Sequence, residues 1–266
     1  DFHWNVNANL TLLDTRVKEL AGGATEMNLD SDWAGYAIVG ARYPMIKATD
    51  WVRNPEGKII VDPVTGLPKA GDIVAVGTSD PTVRIGLNSV MKWKGFSLAA
   101  TFDYRGGHYT RPSSEYNMLF TGASYISGIS GRQRFVFPNS VIEETDASGN
   151  VTYRENTDIT VNDAGKTFWN GIYKQGRANQ IISAASWRLR ELSLGYDVPK
   201  KYLKKVGFLQ RASVSLVGRN LFMWTPSTNI WGDPDFTGSG NGNVGGFSGT
   251  NNVGQRSYGF NLLLSF

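Results

Sequence analysis

The chain has 266 residues, of which 41% are hydrophobic and 19% charged, with a formal net charge of +4 and no cysteine. That balance excludes a disordered chain, and the missing cysteines exclude a disulfide framework, a thiolate nucleophile and a thiolate metal site. No stretch holds the roughly 18 consecutive apolar residues of a membrane-spanning helix, and the mild positive charge suits anionic headgroups or acidic ligands without selecting either.

The chain opens in mid-pattern (DFHWNVNANL) rather than on a basic and then apolar leader. Phe2, Trp4, Val6, Ala8, Leu10 and Leu12 alternate with His3, Asn5, Asn7, Asn9 and Thr11, which predicts a strand with one apolar face. A less regular strand carrying Pro44 is expected around 36–47. Val83, Ile85, Leu87, Ser89, Met91 and Trp93 then alternate with polar residues up to Lys94-Gly95. The same phase resumes with Phe96, Leu98, Ala100, Phe102 and Tyr104, so a two-residue turn would set Trp93 opposite Phe96 in one hairpin. Further strands are expected where Leu192, Leu194, Tyr196 and Val198 alternate with polar residues, and again along Ala212, Val214, Leu216 and Gly218. The last runs Tyr258, Phe260, Leu262, Leu264, Phe266. This makes about seven strands, several near the 9–11 residues that cross a bilayer at a tilt.

Connections differ in length. Lys94-Gly95 is minimal and 199–207 (PKKYLKKVG) is short and basic, whereas 50–80, 106–182 and 226–255 are long. A short helix is expected within 113–126, and 237–254, rich in Gly, Asn and Ser, reads as a mobile loop. Long connections fall at one end of the strands and short ones at the other, with 14–33 as the exception.

An apolar strand face packs either on a second sheet, as in a soluble sandwich, or against lipid. Three features favour lipid. The polar faces carry Arg84, Lys92, Asp103 and Arg105, as a hydrated lumen would. Aromatic residues end the apolar faces, with Trp93, Phe96, Tyr196 and Phe266 assigned to the short-turn rim and Phe2, Trp4, Tyr104 and Tyr258 to the long-loop rim, as in an interfacial girdle. Loop length segregates by rim. The expected fold class is all-β, an antiparallel transmembrane β-barrel.

The run SWRLRELSLGYDVPKKYLKKVGFLQRASVSLVGRNLFMWT (186–225), followed by WGDPDF (231–236) and RSYGFNLLLSF (256–266), resembles the C-terminal end of SusC/RagA-type TonB-dependent outer-membrane transporters. DWVRNPEGKIIVDPVTGLP (50–68) and WKGFSLAATFDYRGGHY (93–109) are also similar to the family. Arg219 stands where the family commonly has an amide, and Asp235 where it has Glu. The resemblance implies that residues 1–266 form the C-terminal part of a barrel of about 22 strands around a plug, with plug and TonB box outside this segment. It also implies a SusD-like surface lipoprotein as lid, coupling to the TonB complex, outer-membrane lipid around the wall, and import of an oligosaccharide or peptide. Phe266 would be the terminal aromatic read by barrel assembly.

Enzyme chemistry is not expected. His3 and His108 are the only histidines and lie far apart in sequence, which leaves no serine–histidine constellation. DAGKT (163–167) lacks the first P-loop glycine, since position 160 is Thr160. Glu143, Glu144 and Asp146 read as a solvated turn in preference to a calcium site, so no cofactor is invoked, and no nucleic-acid partner. Substrate or lid contacts are expected from the loop aromatics Trp51, Tyr109, Tyr116, Trp169 and Trp231. Arg188 and Arg190, on the face of Leu192 and Leu194 by strict alternation, are candidates for lipopolysaccharide phosphates. A passive porin or structural barrel is the alternative function.

Overall fold

A computed structural model describes residues 2–29, 35–131, 133–161, 165–204, 207–235, 247–248 and 254–266. The expected mobile loop at 237–254 lies almost wholly outside them. Six strands pair in chain order into one antiparallel meander: β1 (Phe2–Leu12), β2 (Val83–Trp93), β3 (Phe96–Gly106), β4 (Ser186–Asp197), β5 (Arg211–Trp224) and β6 (Ser257–Ser265). The sheet is open, with β1 and β6 at its edges, and has the architecture of part of a barrel wall.

Register makes one face apolar in rows. Phe2, Trp93, Phe96, Tyr196, Val214 and Leu262 pair in succession across the sheet, and Trp4, Met91, Leu98, Leu194, Leu216 and Phe260 form the next row. The opposite face carries polar rows, among them Asn7, Asn88, Thr101, Glu191, Arg219 and Ser257. The apolar face is not buried against a second sheet. Leu262 is 60% exposed, Phe260 62% and Leu216 57%, far more apolar surface than a water-soluble chain leaves open.

One irregularity breaks the alternation. Leu189 pairs with Phe102 and Phe222, whereas Glu191 pairs with Thr101 and Arg219. Arg190 is thus an extra residue against β3, and Asn220 adopts a positive φ of 53° opposite it on β5, a conformation that Asn tolerates better than most side chains. This β-bulge flips the phase of β4. Above it, Leu189 and Trp187 continue the apolar face, in rows with Ala8, Leu87, Phe102 and Phe222 and then Leu10, Ile85, Tyr104 and Trp224.

The expected strand around 36–47 is not a wall strand. Gly35–Ile38 and Met45–Trp51 instead join Glu26–Asn28 and Ala70–Thr78 in a separate four-stranded sheet. Residues 13–82 therefore form one connection at the long-loop rim, and the apparent exception at 14–33 disappears. Connections 13–82, 107–185 and 225–256 lie at one rim, and 94–95 and 198–210 at the other.

The buried core sits in the loops. Trp51, Val61, Phe137, Ile142, Val161 and Phe168 pack together, flanked by a three-stranded sheet of Ile59–Val61, Ser140–Thr145 and Val151–Glu155. Two connections, far apart in sequence, thus share one apolar centre. Gly176 lies so close to it that a Cβ there would stand 2.1 Å from Trp51 Cε2. Gly176→Ala is expected to destabilise this core by about 1–3 kcal/mol. Limited proteolysis of the full protein should then cut faster within 107–185 while β1–β6 keep their resistance.

Candidate functional site

On the polar face of the wall, at the long-loop rim, six charged side chains converge. Asp103 and Arg105 come from β3, Arg188 and Arg190 from β4, and Asp233 and Asp235 from the 225–256 connection. Arg190 grips Asp103 through two hydrogen bonds of 2.9 and 2.8 Å and reaches Asp235 at 2.5 Å. Arg105 donates to the other Asp235 oxygen at 3.1 Å. Arg188 donates to both oxygens of Asp233, its Nη1 at 2.7 Å. Its Nε lies 3.2 Å from Asp235 Oδ2 without hydrogen-bond geometry, a charge contact only.

Within the segment itself, the Asp235 N–H donates to Asp233 Oδ1 at 2.8 Å. Burial opposes ionisation of Asp233, but Arg188 and that N–H outweigh it and hold its carboxyl below the usual range. A cavity of about 300 Å³ opens beside the cluster, between Arg188, Arg190, Asn220, Phe222, Asp233 and Arg256. The arrangement fastens the 231–235 segment to the inner wall and leaves a polar recess next to the fastening.

Strict alternation placed Arg188 and Arg190 beside Leu192 and Leu194. The bulge corrects this. Arg188 takes the polar face, where it is 6% exposed, and both guanidiniums are matched by aspartates of the same chain.

Of the loop aromatics, Trp51 is buried in the loop core rather than exposed. Trp169 packs against it, its ring 4.8 Å from Phe168 and 5.2 Å from Tyr173. Tyr116 stacks on Phe120 at 5.7 Å and donates its hydroxyl to the Asn170 carbonyl at 3.3 Å. Tyr109 lies over Gly77 and borders a recess with Arg84, Arg105, His108 and Asp235. Trp231, half-buried, directly precedes the ion-paired segment. Tyr109 and Trp231 therefore flank the charge cluster, while Trp51 and Trp169 hold the loops together.

Of the residues expected to form a girdle, Trp93, Phe96 and Tyr196 share a row, with Phe96 and Tyr196 centred 4.6 Å apart. Pairing of Phe2 with Trp93 puts Phe2 and Trp4 at this short-turn rim rather than the long-loop rim. Tyr104 meets Trp187 at 5.0 Å and Phe222 meets Trp224 at 5.9 Å at the other rim. Tyr258 instead pairs with Gly218 in the row of Leu192, well short of that rim, because β6 enters the ladder only at Ser257, opposite Arg219. Phe266 stacks on Phe208 at 5.9 Å. Simple alternation missed Trp187, Phe222 and Trp224, although the jump in phase from Leu189 to Leu192 is visible in the sequence.

Two titratable groups are buried in the loops. His108 is pushed down to about 4, by burial first and then by Arg105, against the pull of Asp235, so it is neutral at neutral pH. Glu115, on helix α1 (Ser113–Phe120), is 4% exposed. It accepts the Tyr173 hydroxyl, and burial lifts its carboxyl to about 7 against the opposing effects of that bond and of Arg111. Asp146 instead closes its own turn, accepting from the backbone of Ser148 and Asn150 at 2.8 Å each.

No family model matches the chain, and no curated protein is similar to it. Solved structures are. A chain of the RagAB peptide transporter superposes with a TM-score of 0.63 at 16% identity, over 100% of this chain and 27% of its own length. The RagAB peptide importer in its closed-closed state gives 0.63 at 16%, over 100% and 28%. Its open-open state gives 0.60 at 18%, over 99% and 27%. The fold is that of a portion of a RagAB transporter chain. The chain spans little more than a quarter of the length of these chains.

Removing Asp235 should take away the hydrogen bonds it accepts from Arg105 and Arg190, while Arg190 keeps Asp103 and Arg188 keeps Asp233, at a cost of about 2 kcal/mol. Asp235→Ala is expected to expose 225–256 to protease, whereas Glu191→Ala, which breaks the open Arg219–Glu191 pair, should change cleavage by less than about twofold. For Glu115 the sign follows from its raised value. The folded carboxyl holds its proton more tightly than the free one, so stability is full below the ordinary value of 4.5 and drains away as pH climbs to about 7. Hydrogen exchange in 113–120 and 168–180, corrected for intrinsic rate, should therefore speed up over that window by the equivalent of roughly 3 kcal/mol. Glu115→Gln should flatten the response.

Proposed function

We propose that this chain is the C-terminal part of the wall of a TonB-dependent outer-membrane importer. In this reading it takes up an oligomeric nutrient, a peptide or a glycan, and acts with a SusD-like surface lipoprotein. One observation carries the reading: a six-stranded meander with an exposed apolar face and alternating short and long connections, matched along its whole length by transporter chains. The plug and the energy-coupling segment belong to the rest of the polypeptide. Lipid meets the rows of Leu98, Leu194 and Leu216, and the polar face, with the 231–235 segment fastened to it, borders the path of the substrate. Tyr109 and Trp231, flanking the fastening, are the aromatics best placed for substrate or lid, and Phe266 is the assembly signal. The alternative, a passive pore, shares the wall but not the energy requirement.

Cells carrying the complete protein should accumulate labelled peptides or oligosaccharides saturably, and collapse of the proton gradient should abolish this. Accumulation that survives the collapse would establish the passive pore, and no accumulation of either class would overturn import. In vesicles, Leu216→Arg should cost about 2–4 kcal/mol of unfolding free energy. Ser215→Arg on the other face should cost less than half of that.

A further inference from the structure

The short-turn rim holds a group of cations that the import reading does not use. The backbone ties its two turns together: the Asp197 N–H donates to the Gly95 carbonyl at 2.8 Å, and Tyr196 packs beside Gly95. This draws Lys94 of the β2–β3 turn next to helix α2 (Lys200–Leu203) of the β4–β5 connection. Lys94, Lys200, Lys201, Tyr202 and Arg211 border one open recess. Its one carboxylate, Asp197, is engaged by Arg211 at 3.2 Å, so the three lysines that border the recess have no other counter-charge among its lining residues.

The ammonium groups also lie at a defined level. Lys94 Nζ sits 4.8 Å from the centre of the Trp93 ring, and Lys201 Nζ 4.8 Å from that of Tyr202. Both rings are about half exposed, as is Phe96, the cross-strand partner of Trp93, and the stacked pair Phe208 and Phe266 is exposed too. Immediately beyond them begins the apolar face, with Leu98, Leu194 and Leu264. Cations above an aromatic band above an apolar wall match an anionic amphiphile end to end, its phosphate in the recess and its acyl chains on the strands.

We propose that this rim binds the phosphate headgroup of an anionic phospholipid between Lys94, Lys200 and Lys201. The inference rests on the membrane-wall reading above and adds a lipid preference to it. Lys94 holds a positive φ of 48° at its turn position, which fixes where its ammonium group leaves the backbone. Arg211, neutralised by Asp197, borders the site and adds little net charge.

The test uses the complete protein reconstituted in nanodiscs of phosphatidylcholine with graded phosphatidylglycerol, then stripped with detergent and weighed intact by native mass spectrometry. Retained lipid should be phosphatidylglycerol well above its share of the disc. In K94Q/K200Q/K201Q this enrichment should fall by about tenfold or more, and K94R/K200R/K201R should restore it. High salt should weaken it and millimolar inorganic phosphate should not displace the lipid. Equal retention of both lipids, an unchanged glutamine variant, or displacement by free phosphate would each overturn the proposal. A protein that incorporates into discs but shows no preference sinks this inference alone. One that never incorporates sinks the membrane-wall reading itself.

Discussion

The wall has to satisfy two demands with one backbone. Every strand N–H and C=O needs a partner across the sheet, and an apolar face with no second sheet against it needs some other cover. Between β1 and β6 the ladder meets the first demand in register, except along the two outer edges, and the rows from Phe2 to Leu262 and from Trp4 to Phe260 state the second. Such a sheet turns a soluble protein inside out. Its apolar residues occupy the open face, its buried core is displaced to the loops, and its charges gather on the opposite, polar face. Everything else in the molecule follows from which face a residue is given.

That dependence gives the bulge at Arg190 its weight. Without it, Arg188 would stand among leucines, where an unpaired guanidinium costs several kcal/mol. With it, Trp187 and Leu189 complete the apolar rows, and Arg188 and Arg190 turn toward Asp103, Asp233 and Asp235. A single extra residue therefore repairs the outer surface and builds the inner attachment point together. Bulges near functional sites re-aim side chains in this way, and here the re-aimed side chains hold a loop.

Much of this was legible in the sequence, and the failures have physical reasons. Period-two patterning gave the β2–β3 hairpin to the residue, because Lys94-Gly95 permits one register only. It misread Arg188 and Arg190 because it assumed unbroken alternation, and the ladder need not keep it. Phe2 and Trp4 went to the wrong rim because a spurious wall strand at 36–47 inverted the count of crossings before β2. Trp51 looked like a surface aromatic because its partners, Phe137, Ile142, Val161 and Phe168, lie in another connection, and packing between distant loops leaves no periodic trace. The partners of Arg190 were invisible for the same reason: Asp103 and Asp235 lie 87 and 45 positions away.

The long connections are secured in two different ways, and the difference has mechanical content. Residues 107–185 share an apolar core with 50–80, held by dispersion and the exclusion of water, which act at short range and do not weaken with salt. The 231–235 segment is held to the wall by ion pairs, partly exposed and bidentate, which are directional and release as a unit once water enters. The first kind of attachment makes a rigid body. The second makes a joint, because each guanidinium and carboxylate recovers its hydration when the contact opens, so the open state is offset by solvent in a way that an exposed Phe168 would not be. Of the two attachments, the ion-paired one at 233–235 is the one whose opening solvent would offset.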